Sequence, residues 1–379
     1  MEQDLPLPED KKWMKVALSL GERGFMKTAP NPAVGAVVVK DGKIAGKGFH
    51  ERAGAPHAEV MALKMAGEDA RGGTLYVTLE PCNHFGKTPP CTSAILEAKI
   101  SRVVYGTKDP NPDVKGGGGE YLRKKGIKVT SGVEEESCQE LIRNFSVWVL
   151  EKRPYFLHKS ALTMDGAVAT YGRGREKISG EKSRKKVHHL RYEVDAVIVG
   201  GGTFRKDLPD LRPRGVKRKK EEGDRPIPLR VLISRTLPEP IGPFVTENPE
   251  RSLVFTTLCK EDERKRWEEK GVEVVLFHPQ EFSLLTIARN LFARGVYHAL
   301  VEGGSTLRTL FLKEKLIDEM ILIYAPLWVG GKPSLTLFSS DPEPIEKAWK
   351  GKIRKVEKVG EDLWVYLLPK RENPSKEGK

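Results

Sequence analysis

The chain has 379 residues, 39% hydrophobic and 31% charged, which is too long for one typical core and predicts two domains. No run of ~18 apolar residues occurs, so no membrane span is expected. The formal charge of +13 suggests nucleic acid until it is divided: residues 1–150 hold 21 Lys+Arg against 19 Asp+Glu, and the remainder 44 against 33.

Met1 to Asp10 is acidic and proline-bearing and does not read as a secretion signal. Lys11 to Arg23 carries helical apolar spacing through Trp13, Val16, Ala17 and Leu20. Val34 to Lys40 and Lys43 to Gly48 flank Asp41-Gly42, a hairpin signal. Ala58 to Gly67 reads as a helix, Thr74 to Leu79 as a strand and Thr92 to Ala98 as a helix. Arg102 to Gly106 and Ile127 to Thr130 are short strands around a helix near Glu120 to Lys125. This alternation predicts a mostly parallel sheet with helices on both faces. A break is expected near Ser146 to Pro154, dividing the chain into domains at 1–147 and 154–370 with a linker at 148–153.

The second half repeats the alternation. Strands are predicted at Tyr155 to Leu162, Ala196 to Val199, Arg230 to Ile233, Leu253 to Thr256, Val272 to Phe277, Ala299 to Val301 and Met320 to Tyr324. Helices are predicted at Glu181 to Tyr192, Glu261 to Lys270, Phe282 to Arg294 and Thr306 to Lys313. The basic patch from Arg205 to Arg230 is either a solvated loop or an attractor for anionic small molecules. Arg212 to Arg225 reads as a long loop, and 371–379 as a disordered tail. Abundant Lys and Glu with only three Gln fit a heat-adapted source.

Chemistry concentrates in His57-Ala58-Glu59, Pro81-Cys82 and Cys91. One imidazole and two thiolates leave the fourth tetrahedral position of Zn²⁺ open to water, as in a catalytic site. Glu59, not itself a ligand, suits the proton shuttle of a zinc-dependent base deaminase. His57 starts a helix, Cys82 follows a strand and Cys91 opens the next helix, so helix N-termini would favour thiolate. A structural zinc would need a fourth ligand, for which His84 is the candidate. Only Cys138 and Cys259 remain, which favours a reducing cytosol over a disulfide framework. Deaminases commonly place two residues between the cysteines. Here eight intervene, and their His, Lys and Thr suit a phosphate or polar base.

That loop, with Asn31-Pro32-Ala33-Val34-Gly35, Gly48-Phe49-His50, Arg52-Ala53-Gly54, His57-Ala58-Glu59 and Asp109-Pro110-Asn111-Pro112, closely resembles the bifunctional riboflavin-biosynthesis deaminase/reductase family. The resemblance covers nearly the whole chain and is densest in the first 115 residues. It implies an N-terminal α/β domain of cytidine-deaminase-like, three-layer αβα fold. That domain would hydrolyse the 2-amino group of 2,5-diamino-6-(5-phosphoribosylamino)pyrimidin-4-one. It also implies that His57, Cys82 and Cys91 bind zinc, that Glu59 carries the proton, and that Asn31, His50, His84, Lys87 and Asn111 contact base, ribose and phosphate.

In the second half, Gly200-Gly201-Gly202-Thr203 and Gly303-Gly304-Ser305-Thr306 each follow a strand and suit an anion, or are simply tight turns. Neither matches Gly-x-Gly-x-x-Gly, so no ordinary Rossmann site is expected. The resemblance implies a dihydrofolate-reductase-like domain that uses NADPH to reduce the ribosylamino product to a ribitylamino group. By it, Thr163, Thr203, Asp207, Ser234, Gly304, Ser305, Thr306 and Leu307 bind cofactor, Arg191, Leu211, Arg214 and Glu302 bind substrate, and Lys159 lies near the reacting carbon. Lys177 stands where a Trp is common, Leu208 replaces an acid and Arg212 a Thr. A cytoplasmic homo-oligomer joined through reductase domains, with no nucleic-acid or membrane partner, is implied. A nucleic-acid deaminase with a catalytically degenerate second domain would instead carry two-residue cysteine spacing and its charge around the zinc. A non-catalytic zinc module would not need Glu59.

Overall fold

A computed structural model describes residues 5–84, 89–113, 117–170, 177–216, 226–330, 334–340 and 344–370. The chain divides into two compact units, Met1–Lys152 and Arg153–Lys379. Among the described residues no helix is long and apolar enough to cross a membrane.

In the first unit, strands β1 (Gly35–Lys40), β2 (Lys43–Phe49), β3 (Thr74–Leu79), β4 (Arg102–Thr107) and β5 (Lys128–Ser131) form one sheet in the order β2-β1-β3-β4-β5. β1 runs antiparallel to both neighbours, whereas β3, β4 and β5 are parallel. Asp41 and Gly42 both take positive φ, as the tight β1–β2 turn requires. Helices α1 (Asp10–Gly21), α2 (Ala58–Ala66), α3 (Cys91–Glu97), α4 (Gly118–Lys124), α5 (Glu135–Leu141) and α6 (Arg143–Ser146) cover it.

Side chains alternate across a strand, so the apolar run of β1 feeds two cores. Ala36 and Val38 join Leu75, Val77 and Val103 against Ala62 of α2, Ile95 of α3 and Leu122 of α4. Val37 and Val39 join Tyr76 and Val104 against Met14 and Ala17 of α1 and Cys138 of α5. The result is three layers. Glycine decides how closely α2 sits: a Cβ at Gly46 would meet Ala62 O at 2.1 Å, and one at Gly48 would meet Ala58 O at 2.5 Å. At the edge of the other layer, Asp10 accepts both terminal nitrogens of Arg102 at 2.7 Å and the Tyr76 hydroxyl at 3.0 Å. These bonds tie the start of α1 to β3 and β4. Residues 147–151, mostly expected as linker, continue the helix in a single π-turn because Val147 and Val149 pack inward, and Lys152 then turns left-handed.

The second unit holds β6 (Tyr155–Thr163), β7 (Ala169–Thr170), β8 (Ala196–Gly200), β9 (Leu229–Ile233), β10 (Ser252–Thr256), β11 (Glu273–Leu276), β12 (His298–Val301), β13 (Glu319–Ala325), β14 (Ser334–Leu335), β15 (Gly351–Val359) and β16 (Asp362–Pro369). Nine of them form a sheet ordered β11-β10-β9-β8-β12-β6-β13-β16-β15, parallel from β11 to β13 and closed by the antiparallel β16 and β15; β7 and β14 pair separately. Helices α7 (Glu181–Glu193), α8 (Gly201–Asp207), α9 (Pro243–Thr246), α10 (Glu261–Glu268), α11 (Leu284–Ala293) and α12 (Ser305–Lys313) connect the strands. Ile198, Val231, Phe255 and Phe156 pack with Leu291 of α11 and Phe311 of α12 in the main core. The expected 371–379 tail and the stretch 217–225 of the basic loop lie outside the described residues.

The unit begins on a buried ion pair. Arg153 donates to both Asp318 oxygens, at 2.6 and 2.8 Å, and Asp318 also accepts the Phe156 N–H at 2.8 Å. Both side chains are 1% exposed. Removing one partner from such a pair strands a charge in the interior, at a cost of about 3–5 kcal/mol. Asp318→Ala is therefore expected to lower the urea midpoint of the second unit's unfolding transition and leave that of the first unit in place, as read by fluorescence.

Candidate active sites

In the first unit, a strand end and two helix starts converge. His57 is the extended N-cap residue of α2, Cys82 follows β3 and Cys91 is the first residue of α3. Their donor atoms lie within 4.8 Å of one another. The His57 Nδ1 is 3.1 Å from Cys91 Sγ and 3.6 Å from Cys82 Sγ, and the Cys91 N–H donates to Cys82 Sγ at 3.2 Å. A borderline-soft dication bound by one imidazole and two thiolates matches this donor set. All four cysteines of the chain are free of disulfides.

The electrostatics suit a cation. A hydrogen bond from Cys91, helped against burial by His57 and the Cys91 N–H, holds the Cys82 thiol down to about 4. Cys91 is pushed up because the Cys82 charge forms beside it and because it is buried. Only a bound cation makes both thiolates favourable together. Glu59, on the first turn of α2, is buried; desolvation and the Cys82 charge raise its pKa.

Around this centre the structure gathers several of the expected substrate residues. Asn31 Nδ2 lies 3.0 Å from His50 Nε2, while His50 Nδ1 faces Pro56 O at 3.1 Å. This pair of partners sets the tautomer: Nδ1–H donates to the carbonyl and Nε2 accepts from the amide. The His50 ring packs edge-on to His57, with centroids 5.5 Å apart. Asn111 is set by its N–H bond to Asp109 Oδ1 at 2.9 Å, and it accepts the Asp113 N–H at 3.1 Å. Sequence reasoning assigned no role to Asp109. Burial raises its pKa, and the fields of His84, Glu80 and Cys82 reach it, so it belongs to the site's electrostatics. His84 is exposed, and Lys87 lies outside the described residues.

The second unit contains a cavity of about 1130 Å³ at the C-terminal ends of its parallel strands. Of the expected residues, Lys159, Arg191, Thr203, Asp207, Arg214, Ser234, Glu302 and Gly304 to Leu307 all line it. Thr163 and Leu211 do not. The Thr163 hydroxyl is engaged by the Ala167 N–H at 3.0 Å, and Leu211 is buried with left-handed backbone. Glycine shapes the wall. A Cβ at Gly201 would meet Ser234 Oγ at 2.2 Å, and one at Gly303 would meet Gly200 N at 2.8 Å. These turns are cradles of bare backbone, which fits a cofactor that must approach the main chain closely.

Glu302 is buried yet ionised. Burial opposes its charge, but Arg191 and Lys159 hold its pKa well below the usual carboxylate range. Arg191 Nε and Nη2 reach its two oxygens at 2.5 and 3.0 Å, and Lys159 Nζ lies 3.0 Å away. Arg184 and His188, one and two turns along α7, also line the cavity and were not singled out in the sequence. His188 Nδ1 accepts the Arg214 N–H at 3.2 Å. Their spacing with Arg191 on one helix face was the available signal. Lys177, the departure from a common Trp, stands on the same wall.

Residues 7–107 match the family model for the cytidine and deoxycytidylate deaminase zinc-binding region, and 154–365 match the RibD C-terminal domain. The riboflavin biosynthesis protein RibD of Aquifex aeolicus is 43% identical over 358 residues, covering 94% of this chain and 98% of that protein. The chain belongs to the RibD family. The Escherichia coli RibD is 34% identical, with 95% of this chain and 99% of that one covered. Among solved structures, Acinetobacter baumannii RibD superposes with a TM-score of 0.78 at 36% identity, covering 97% of this chain and all of the other. A Thermotoga maritima diaminohydroxyphosphoribosylaminopyrimidine deaminase/5-amino-6-(5-phosphoribosylamino)uracil reductase reaches 0.76 at 39% identity, with 95% and 98% covered. Family membership brings the two folds with it, cytidine-deaminase-like and dihydrofolate-reductase-like.

Replacing one thiolate leaves too few ligands for a tight site. Cys91→Ser is expected to reduce the zinc recovered with the purified protein from near one per chain to a small fraction, as measured by elemental analysis.

Proposed function

We propose that this RibD-family chain catalyses two consecutive steps of riboflavin biosynthesis. The first unit deaminates the phosphoribosylated diaminopyrimidine, and the second reduces its ribosyl group to ribityl with NADPH. The observation that carries the reading is the convergence of His57, Cys82 and Cys91 beside the buried Glu59. Zinc held by those three residues supplies Lewis acidity, lowering the pKa of water toward ~7. Glu59 accepts a proton from the attacking water and returns it to the departing amino nitrogen, so that ammonia leaves and a carbonyl remains. Its raised pKa lets it hold that proton between the two transfers. His50, with its Nε2 turned to Asn31, fixes that amide for the pyrimidine edge.

In the second unit, NADPH supplies the hydride. The chain's own residues position the substrate and handle the proton. Arg191 and Arg214 face a phosphorylated sugar from one side of the cavity. Glu302 fixes the Lys159 ammonium at 3.0 Å. That ammonium is the proton donor for the ribose ring oxygen as C1′ is reduced and the ring opens. Arg191 shares the Glu302 carboxylate, so it locks the donor's geometry from the opposite side.

The two chemistries separate by mutation. Glu59→Gln is expected to lose about 10²–10⁴-fold in deamination, with zinc content unchanged and NADPH oxidation intact when deaminated substrate is supplied. Equal deamination rates in mutant and wild type would remove Glu59 from the mechanism. Lys159→Met is expected to show the converse, with NADPH consumption lost and ammonia release retained. An unchanged reductase rate in that variant would rule Lys159 out as proton donor.

A further inference from the structure

Arg214 stands on a stretch of chain with no ladder to hold it. Residues 208–216, the described start of the connection from α8 to β9, belong to no helix or strand, and Leu208 and Leu211 both take positive φ. Side chains from neighbouring elements fix this stretch instead. Arg230 donates to the Asp210 carbonyl at 3.3 Å, and Arg191 to the Arg212 carbonyl at 3.4 Å. The Arg214 N–H donates to His188 Nδ1 at 3.2 Å. The guanidinium of Arg214 is 59% exposed, with its Nε 3.9 Å from Asp210, so its own side chain adds little restraint. His188 and Arg191 lie three residues apart on α7, which puts both on one face, and both line the cavity.

The bond to Arg214 depends on the state of the ring. A backbone N–H only donates, so Nδ1 must be the bare nitrogen and the neutral imidazole carries its proton on Nε2. An imidazolium has N–H at both positions and accepts nothing. The charged groups around the ring come from several elements. Arg184 and Arg191 stand on α7, Asp210, Arg212 and Arg214 on the loop, Lys159 on β6, and Glu302 after β12. Histidine is the one residue type among them whose ordinary charge change falls between about pH 5 and 8. Burial and the charges of Arg191 and Arg214 hold the His188 pKa below its usual value, against Glu302 and the Arg212 carbonyl. The ring is therefore neutral and the bond closed at neutral pH; the bond opens as the pH falls and the ring gains its second proton.

We propose that His188 is a positioning residue of the reductase, a latch whose neutral ring holds the Arg214 segment on α7 and whose protonation releases it. The proposal rests on the reductase reading above, in which Arg214 meets the phosphorylated sugar. Its test is the initial rate of NADPH oxidation by the full chain with the deaminated substrate, from about pH 8 down to about pH 5. Wild type is compared with His188→Leu and His188→Asn. Leucine leaves the Arg214 N–H without its acceptor, so KM for the substrate should rise about 3- to 10-fold at every pH, with kcat within about twofold. Asparagine places an oxygen near the position of Nδ1 and does not titrate, so its KM should match wild type at neutral pH. On acidification the wild-type KM should climb toward that of His188→Leu, and the asparagine variant should not follow. The substrate's own phosphate also titrates near pH ~6, but equally for all three proteins, so the KM ratio of wild type to His188→Asn isolates the ring. A ratio that stays constant over the whole range, or an unchanged KM in His188→Leu, would overturn the proposal and leave the reductase reading standing. So would a ratio that falls in acid, which would make the imidazolium a ligand of the substrate phosphate. A wild-type chain that oxidises no NADPH with this substrate would overturn both.

Discussion

A parallel sheet sends the C-terminal ends of its strands to one edge, and both units build their sites on that constraint. In the first unit, Cys82 lies beyond β3 and the Asp109–Asn111 turn beyond β4, its parallel neighbour. In the second, Gly200, Ser234 and Glu302 end or follow β8, β9 and β12. Each chain segment that leaves this edge must turn at once into a connection, and the connection opens polar backbone toward whatever the crevice holds. The residues that carry chemistry are thus far apart in sequence and adjacent in space because the strands are parallel. Close packing refines the position: Gly46 and Gly48 let α2 lie directly on β2, and α2 is the helix that delivers His57 and Glu59.

Two buried carboxylates show how the surroundings assign roles. Glu59 is buried and the Glu302 side chain is nearly so, and desolvation acts to raise the pKa of both. Glu59 has the Cys82 thiolate as its strongest charged neighbour, so burial and field act together to raise its pKa. Glu302 has Arg191 and Lys159, whose fields exceed the cost of burial, so it stays ionised at any ordinary pH. One residue type is therefore pushed toward the neutral acid in the first unit and held as an anion in the second. The difference arises from neighbours supplied by other elements, which no local stretch of sequence displays.

That limit explains what could be read in advance. The β1–β2 hairpin was legible because Asp41-Gly42 sets its own turn, and β3 because Thr74 to Leu79 is apolar and bounded by glycine and proline. The zinc ligands were legible because His57, Cys82 and Cys91 are rare residue types at element boundaries. The β15–β16 hairpin went unread. β15 carries only Ile353 and Val356 among Lys352, Arg354, Lys355 and Lys358, its pairing shifts register between Ile353 and Lys355, and it lies at the sheet edge, where charge is tolerated and the apolar signal is weak. Helices α5 and α6 are short, and their burial rests on a few residues such as Cys138, Leu141 and Phe145. In the reductase cavity, family resemblance supplied most of the wall. It also included Thr163 and Leu211, whose side chains are taken up by packing and a local turn. Arg184 and His188 needed the helix to show that they share a face with Arg191.

The basic excess of the second half can also be divided by partner. Arg230, inside the segment first read as a solvated loop or an anion attractor, is neither. It is fully buried, stacks on Phe244 and donates to the carbonyls of Pro243, Glu247 and Asn248. Burial and the nearby Arg212 charge draw its pKa down to about 10 against the attraction of Asp210. Arg212 pairs with Asp210 and Glu247. These arginines use their many donors to hold irregular backbone together, a task for which a guanidinium fork is better suited than an ammonium. Their charge is consumed locally. Arg205, Lys206 and Arg235 have no carboxylate partner among the described residues and line the cavity, so it is their charge, rather than the arithmetic of the whole segment, that an anionic ligand would meet.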